Sequence, residues 1–339
     1  MREVVLATEQ EFSKGEDVFR SASHGDVRPA PAEEYLLSVA VITQNSRAVI
    51  VGAAPYRGPL YEALGKTGRP SGAIIARFGV GHDGINKPLA RQNNIMVTNT
   101  PGVLDQSVAE HTIWLMGNLA RQLSSSEGRL RSGQFTGQTG IEVCGKTLGL
   151  IGFGAIARRV AAIAHFGLGM RVLAAGRRSL SEMEEQEGLS LAQIQARFGV
   201  DHYTHEAESV LRQADIVSLH LPANDQTRHF INAQRLALMR PGSILINTAR
   251  GSLLDESALH DALVAGRLAG AALDVFENEP YAPVSPEKDL RTLQNVVLTP
   301  HVGSNTRESN WRMAHACLEN ISKFFEGRFA ELSRVDDGT

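Results

Sequence analysis

The sequence is poor in the residues that mark several protein classes. It holds two cysteines, Cys144 and Cys317, in 339 residues. That is too few for a disulfide framework or a cysteine metal site, and two buried thiols in a reducing cytosol are expected. Basic residues are not in excess. The 34 Lys and Arg face 37 Asp and Glu, a formal net charge of −3, which gives no field for nucleic acid or an anionic membrane. No apolar stretch approaches the roughly 20 residues of a membrane helix, and Met1–Gln10 has no signal-peptide core. Internal repeats and low-complexity tracts are lacking too. These absences leave a cytoplasmic globular protein with 42% hydrophobic and 21% charged residues, long enough for two domains.

The most informative stretch is Lys146 to Arg159. Leu148, Leu150 and Ile151 form a short apolar run without polar alternation, which predicts a parallel strand buried on both faces. Gly152, Gly154 and Ala157 follow at the G-x-G-x-x-G/A spacing, and Ile156 to His165 continues as an apolar, Ala-rich helix. The first small residue permits a tight turn, the second admits a pyrophosphate, and the third lets helix pack on strand. Amides near Ala155 and Ile156 would then face the phosphates, with Phe153 between the glycines. A dinucleotide site is predicted.

Upstream, Ser38–Thr43, Ala48–Gly52, Ala73–Phe78 and Ile95–Asn99 read as strands of a small α/β unit with its own parallel sheet. The Gly-rich turn Arg77–Gly84 follows one of them and offers amides to a small anion. Asn99–Gly102 is a breaker cluster, suited to a domain boundary. A helix is predicted from Asp105 to Leu123, with Val108, Thr112, Leu115, Met116 and Leu119 on one face and Trp114 suited to deep burial or a subunit interface. The polar segment Ser124–Thr139 reads as an exposed dimer arm or a disordered loop.

From Thr147 the strand–helix alternation is regular. Strands are predicted at Leu148–Ile151, Arg171–Ala175, Ile216–His220, Ser243–Asn247, Gly270–Leu273 and Val296–Thr299, with a shorter one near Val200–Tyr203. The fold class is therefore α/β, two Rossmann- or flavodoxin-like domains with parallel doubly wound sheets and a cleft between them. Residues 102–305 form the dinucleotide-binding domain, with a dimerisation arm at about 105–145. Residues 1–101 and 306–339 form a discontinuous substrate domain, completed by a last helix from about Glu308 to Phe325 and a polar tail expected to fray after Arg328.

The end of the second nucleotide-domain strand bears on the cofactor. An Asp or Glu is common there, where it accepts from the ribose 2′-hydroxyl. This chain instead reads Gly176-Arg177-Arg178. Losing the acid removes repulsion against a 2′-phosphate, and two guanidiniums can bind it, so NADPH is expected over NADH. The following segment Leu180–Phe198 is Glu-rich and suggests an added helix without an assigned role.

Arg250, Glu279 and His301 also fall just after strands. Reduction of a 2-keto acid needs a cation to grip carboxylate and carbonyl, a proton donor for the forming alkoxide, and a carboxylate that stabilises the imidazolium. With these in hand, the sequence closely resembles the D-isomer-specific 2-hydroxyacid dehydrogenases over about Ile74 to Gly327. The resemblance rests on Val80-Gly81-His82-Asp83-Gly84-Ile85, Val97–Gly102, Val108–Thr112, the Gly152 fingerprint, Ala214–Pro222 and the Arg, Glu and His motifs. It implies Arg250 as the substrate-polarising residue and Glu279 with His301 as the acid/base pair. It further implies that the Val80 and Gly81 amides hold the substrate carboxylate and that the protein is a homodimer. Strand-end position and resemblance together extend the cofactor set to Leu221, Pro222, Thr248, Ala249, Arg250, Asp274, His301, Gly303 and Thr112. Glu277 competes with Glu279, but the family pattern puts the acid directly before Pro280. Asn86 stands where the family motif often ends in Asp.

A chain ending soon after its last helix is expected to lack the appended regulatory domain of many phosphoglycerate dehydrogenases. Glyoxylate and hydroxypyruvate are the favoured substrates. Arg57 and Arg77 keep 3-phosphoglycerate open, and a nucleotide-sensing corepressor without turnover is the alternative from another class.

Overall fold

The computed structural model describes residues 3–22 and 25–335. They fall into two units, Met1–Leu104 with Ser304–Thr339, and Asp105–Gly303. Each is an α/β unit around a wholly parallel sheet.

In the first unit five strands are described: β1 (Val4–Thr8), β2 (Asp26–Ala30), β3 (Ala48–Val51), β4 (Ala73–Arg77) and β5 (Ile95–Thr98). They lie in the order β2-β1-β3-β4-β5, the flavodoxin-like arrangement. Every residue of β3 and β4 is buried, as a sheet covered on both faces requires. The helix Arg307–Phe325 returns to this unit with Met313, Ala314, Cys317, Ile321 and Phe324 buried.

The second unit carries β6 (Thr147–Ile151), β7 (Arg171–Ala175), β8 (His202–Thr204), β9 (Ile216–Leu219), β10 (Ser243–Asn247), β11 (Leu268–Leu273) and β12 (Val296–Leu298). Their order, β12-β11-β10-β9-β6-β7-β8, is the Rossmann sequence with one further strand. Successive residues feed opposite cores. Leu148, Leu150, Val172 and Ala174 pack with Ala157 and Val160 on one face. Ile151, Leu173, Ala175 and Val217 pack with Val210, Leu211 and Leu259 on the other. The strand order reverses between β6 and β9, which opens a crevice at their carboxyl ends.

Several segments depart from the sequence-based expectations, each for a local reason. Ser38–Thr43 is the second half of a helix, Glu34–Thr43. A short apolar run does not distinguish strand from helix, and the Glu33 carboxylate decides it by accepting from the Tyr35 and Leu36 amides. Strand β2 went unread because Asp26-Val-Arg-Pro-Ala looks like a loop. It is an edge strand, pairing with β1 alone, where proline is tolerated. Trp114 is 70% exposed, which rules out burial within its own unit, and Cys144 is exposed while Cys317 is buried. The helix Leu123–Arg131 occupies half of the expected arm or loop. The tail does not fray before the last described residue, since the Val335 amide donates to the Val97 carbonyl at 2.9 Å; residues 336–339 lie outside the described residues. The segment after Arg178 forms two helices, Leu180–Glu187 and Leu191–Phe198, each opened by a serine capping box.

Candidate active site

The turn after β6 is shaped by its glycines. Gly152 has φ +99°, and a Cβ there would lie 2.4 Å from the His220 carbonyl oxygen. Only glycine lets this turn press against the segment after β9, where half-buried Leu221 and exposed Pro222 stand. At Gly154 an added Cβ would meet no atom within 4 Å. This open space lies over the start of the helix Ala155–Ala162, whose first-turn amides lack intrahelical acceptors. Ala157 is fully buried against the strand, and Phe153 packs among Phe198 and Tyr203. The turn fits a pyrophosphate at a helix N-terminus.

At the end of β7 the missing carboxylate has a steric reason. A Cβ on Gly176 would fall 2.4 Å from the Tyr203 hydroxyl, which donates to the Arg178 carbonyl at 2.8 Å. Arg177 and Arg178 are both exposed beside it.

Three adjacent strands, β10, β11 and β12, deliver Arg250, Glu279 and His301. His301 Nδ1 lies 2.7 Å from Glu279 Oε2, and Glu279 Oε1 accepts from the Phe276 amide at 3.0 Å. A carboxylate can only accept, so Nδ1 carries the hydrogen and Nε2 is left for chemistry. Burial alone would raise the Glu279 carboxyl. The His301 hydrogen bond and charge, the Phe276 amide and the nearby Arg250 guanidinium outweigh it and hold the carboxyl below its usual range. Glu277 is engaged elsewhere: it meets His229 at 2.8 Å and exchanges backbone–carboxylate bonds with Glu256.

The Arg250 turn is fixed by Asn247, a fully buried residue that sequence reasoning missed. Its amide donates to the Arg250 carbonyl at 2.8 Å and its oxygen accepts from the Ala249 amide at 3.1 Å. The only cue in the sequence is an amide side chain closing an otherwise apolar strand. Gly251 then touches Phe276 so closely that a Cβ would fall 1.8 Å from the Phe276 carbonyl carbon. The backbones that carry Arg250 and Glu279 are thereby in register with each other.

Asp274 and Thr112, both assigned to the cofactor from the sequence, spend their side chains internally. The Thr112 hydroxyl bonds the Val108 carbonyl and the Thr248 hydroxyl, each at 2.8 Å. The Asp274 carboxylate is 1% exposed. Its Oδ1 accepts from the Thr299 hydroxyl at 2.6 Å and the Val302 amide at 2.9 Å, and its Oδ2 from the Gly303 amide at 2.8 Å. His111, also unforeseen, approaches Oδ1 at 3.3 Å. Burial pushes this carboxyl up, but His111, Thr299 and the two amides together hold it below the ordinary range. The cage sets the turn in which His301 takes φ +52°, a conformation that costs about 1 kcal/mol or more outside glycine. Asp274→Asn would turn an amide donor toward one of those N–H groups. Thermal unfolding should show a loss of about 2 kcal/mol, with a fall in turnover as His301 loses its setting.

In the other unit, Val80 and Gly81 are both half-buried. Among the described residues neither amide has an intramolecular acceptor. Arg77 is buried and Arg57 exposed. Asn86 caps the helix Lys87–Gln92 by accepting from the Leu89 amide at 3.1 Å, a service an Asp would perform equally.

Residues 113–303 match the family model for the D-isomer specific 2-hydroxyacid dehydrogenase NAD binding domain. A glyoxylate reductase of Aeropyrum pernix is 40% identical over 264 residues, 75% of this chain and 74% of that protein. A hydroxypyruvate reductase of Thermotoga maritima is 38% identical over 74% of this chain and 76% of its own length. Among solved structures, an NADPH-dependent glyoxylate/hydroxypyruvate reductase from Sinorhizobium meliloti, in complex with NADP and malonate, superposes with a TM-score of 0.77 at 28% identity. It covers 99% of this chain and 97% of its own.

Proposed function

The chain belongs to the D-isomer-specific 2-hydroxyacid dehydrogenase family of nicotinamide-dependent oxidoreductases, and we propose that it reduces glyoxylate or hydroxypyruvate with NADPH. The observation that carries the reading is the Glu279–His301 pair beside Arg250 on neighbouring strand ends. The names of the relatives support the substrate class.

The reduced nicotinamide supplies a hydride to C2 of the keto acid. Arg250 offers a planar, permanently charged fork to the substrate carboxylate and the carbonyl oxygen, drawing electron density toward that oxygen. The amides of Val80 and Gly81 take the rest of the carboxylate. His301 Nε2 delivers the proton to the forming alkoxide, and Glu279 holds the ring in that tautomer and stabilises its charged form. Thr248, Ala249, Leu221, Pro222 and Gly303 line the cofactor's path in this reading, whereas Asp274 acts as a positioning residue for His301.

For the cofactor, Gly176 stands in place of the usual acid, and Arg177 and Arg178 beside it favour a 2′-phosphate. Replacing both with serine is expected to weaken NADPH binding about 10- to 100-fold and to leave NADH binding within about twofold, read by fluorescence titration. A homodimer paired through the nucleotide-binding units is part of the same reading. Trp114 at 70% and Phe135 at 95% exposure offer apolar surface along the 105–145 segment. A cytoplasmic setting agrees with two free thiols.

The test is a panel of initial rates on glyoxylate, hydroxypyruvate, pyruvate and phosphohydroxypyruvate, with NADPH and NADH side by side. Strong turnover of either of the first two with NADPH is the expected result. Preference for phosphohydroxypyruvate would move the substrate toward phosphoglycerate, and an NADH preference would remove the arginine argument while sparing the triad.

A further inference from the structure

The two arginines are not the only cationic groups that the fold brings to the end of β7. His205 follows β8, the edge strand paired with β7 through Leu173, Ala174 and Ala175. Its Nδ1 lies 3.0 Å from the Gly176 carbonyl oxygen. A carbonyl only accepts, so Nδ1 is the protonated nitrogen in the neutral ring. Nε2 then points away from that bond, on an exposed side chain. The same carbonyl belongs to the residue where an acid would bind a ribose 2′-hydroxyl. Tyr203 backs the arrangement from below, with its ring 6.1 Å from the imidazole and its hydroxyl on the Arg178 carbonyl.

We propose that His205 is the third ligand of the cofactor's 2′-phosphate, its Nε2–H donating to the phosphate beside Arg177 and Arg178. The inference rests on the NADPH reading and deepens it. In the neutral ring Nε2 is an acceptor and repels phosphate oxygens; in the imidazolium it is a charged donor. Histidine changes charge between about pH 5 and 8, so this ligand switches on as pH falls. The phosphate monoester keeps its second charge above about pH 6, which leaves a window where both partners are charged.

Other charged groups around the ring set the field. Arg177 and Arg178 lie on the adjoining turn, and Glu206 is next in the chain. Glu182 opens the helix Leu180–Glu187, and Tyr203 contributes a phenol. Glu182 is bound by the Ser179 amide and hydroxyl, which with His205 and Arg178 hold its carboxyl below the usual range. It stabilises the imidazolium without occupying Nδ1, which remains on Gly176. The helical segment after Arg178 thus gains a role: it carries the anion that balances this cationic pocket.

The test compares dissociation constants of NADPH and NADH by fluorescence titration at about pH 6.5 and about pH 8.5. Proteins are the full-length wild type, His205→Gln and His205→Lys. Glutamine can keep the bond to Gly176 but cannot be charged; lysine is charged at both values. In the wild type the preference for NADPH should fall about fivefold between the lower and higher pH. His205→Gln should have the weaker preference at both, and His205→Lys should retain a preference that does not decline. A His205→Gln protein whose decline matches the wild type within about twofold would overturn the assignment, and so would a wild-type preference that does not change. A wild type without NADPH preference at either pH would overturn the underlying cofactor reading as well, which separates the two failures.

Discussion

His301→Ala is expected to lower kcat about a thousandfold while the dissociation constant for cofactor moves less than about threefold. The size follows from the geometry. Nδ1 is committed to Glu279 at 2.7 Å, so the ring has one productive nitrogen, and alanine removes it. Two other imidazoles paired with acids, His229 with Glu277 and His111 with Asp274, each point Nε2 at their own carboxylate. Folding should be spared. The His301 side chain is 32% exposed, and its backbone amide donates to the Asp274 carbonyl at 2.8 Å whatever the side chain. Stopped-flow measurement with a saturating keto acid checks it. Full activity in the alanine protein would remove His301 as proton donor. Glu279→Gln serves as the companion: its amide oxygen can still hold the ring, but it no longer stabilises the imidazolium, so kcat should fall while the ring keeps its place.

Legibility from the sequence followed the length and regularity of each pattern. β7 and β10 were readable to the residue, because strands buried on both faces present unbroken apolar runs between turn residues. The edge strand β2 was invisible for the converse reason, since a strand with one neighbour tolerates Pro29, Asp26 and Arg28. The helix Glu34–Thr43 was misread because its cap, Glu33, is not a residue type that advertises a helix start.

At the site, residues that carry charge at strand ends could be found, and the groups that hold them could not. His111, Thr299 and Asp274 bind one another across β11, β12 and the helix Asp105–Arg121. Each pairing spans a sequence separation that no local pattern encodes. The same holds for Gly176, whose missing side chain could be read as cofactor chemistry but not as the space taken by Tyr203.

Arg250→Ala should lower kcat/KM about a thousandfold or more, with the loss divided between KM and kcat. Both parts are expected because the guanidinium is asked to do two things: hold a carboxylate already charged in the ground state, and meet an oxygen whose charge grows in the transition state. The turn itself should survive, since Asn247 grips the Arg250 and Ala249 backbone and Gly251 stays wedged against Phe276. Arg250→Lys separates the two duties. A lysine restores a positive charge but not a two-pronged donor, so it should recover part of KM and little of kcat. There is also an electrostatic consequence for the neighbour. Arg250 is one of the groups that hold the Glu279 carboxyl below its usual range, after the His301 and Phe276 contributions that oppose burial. Its loss should move that carboxyl upward, so the acidic limb of the pH–rate profile should shift toward higher pH in the alanine protein. An alanine variant with raised KM, unchanged kcat and an unmoved acidic limb would reduce Arg250 to a ground-state anchor, and the polarisation of the keto oxygen would then fall to the imidazolium alone.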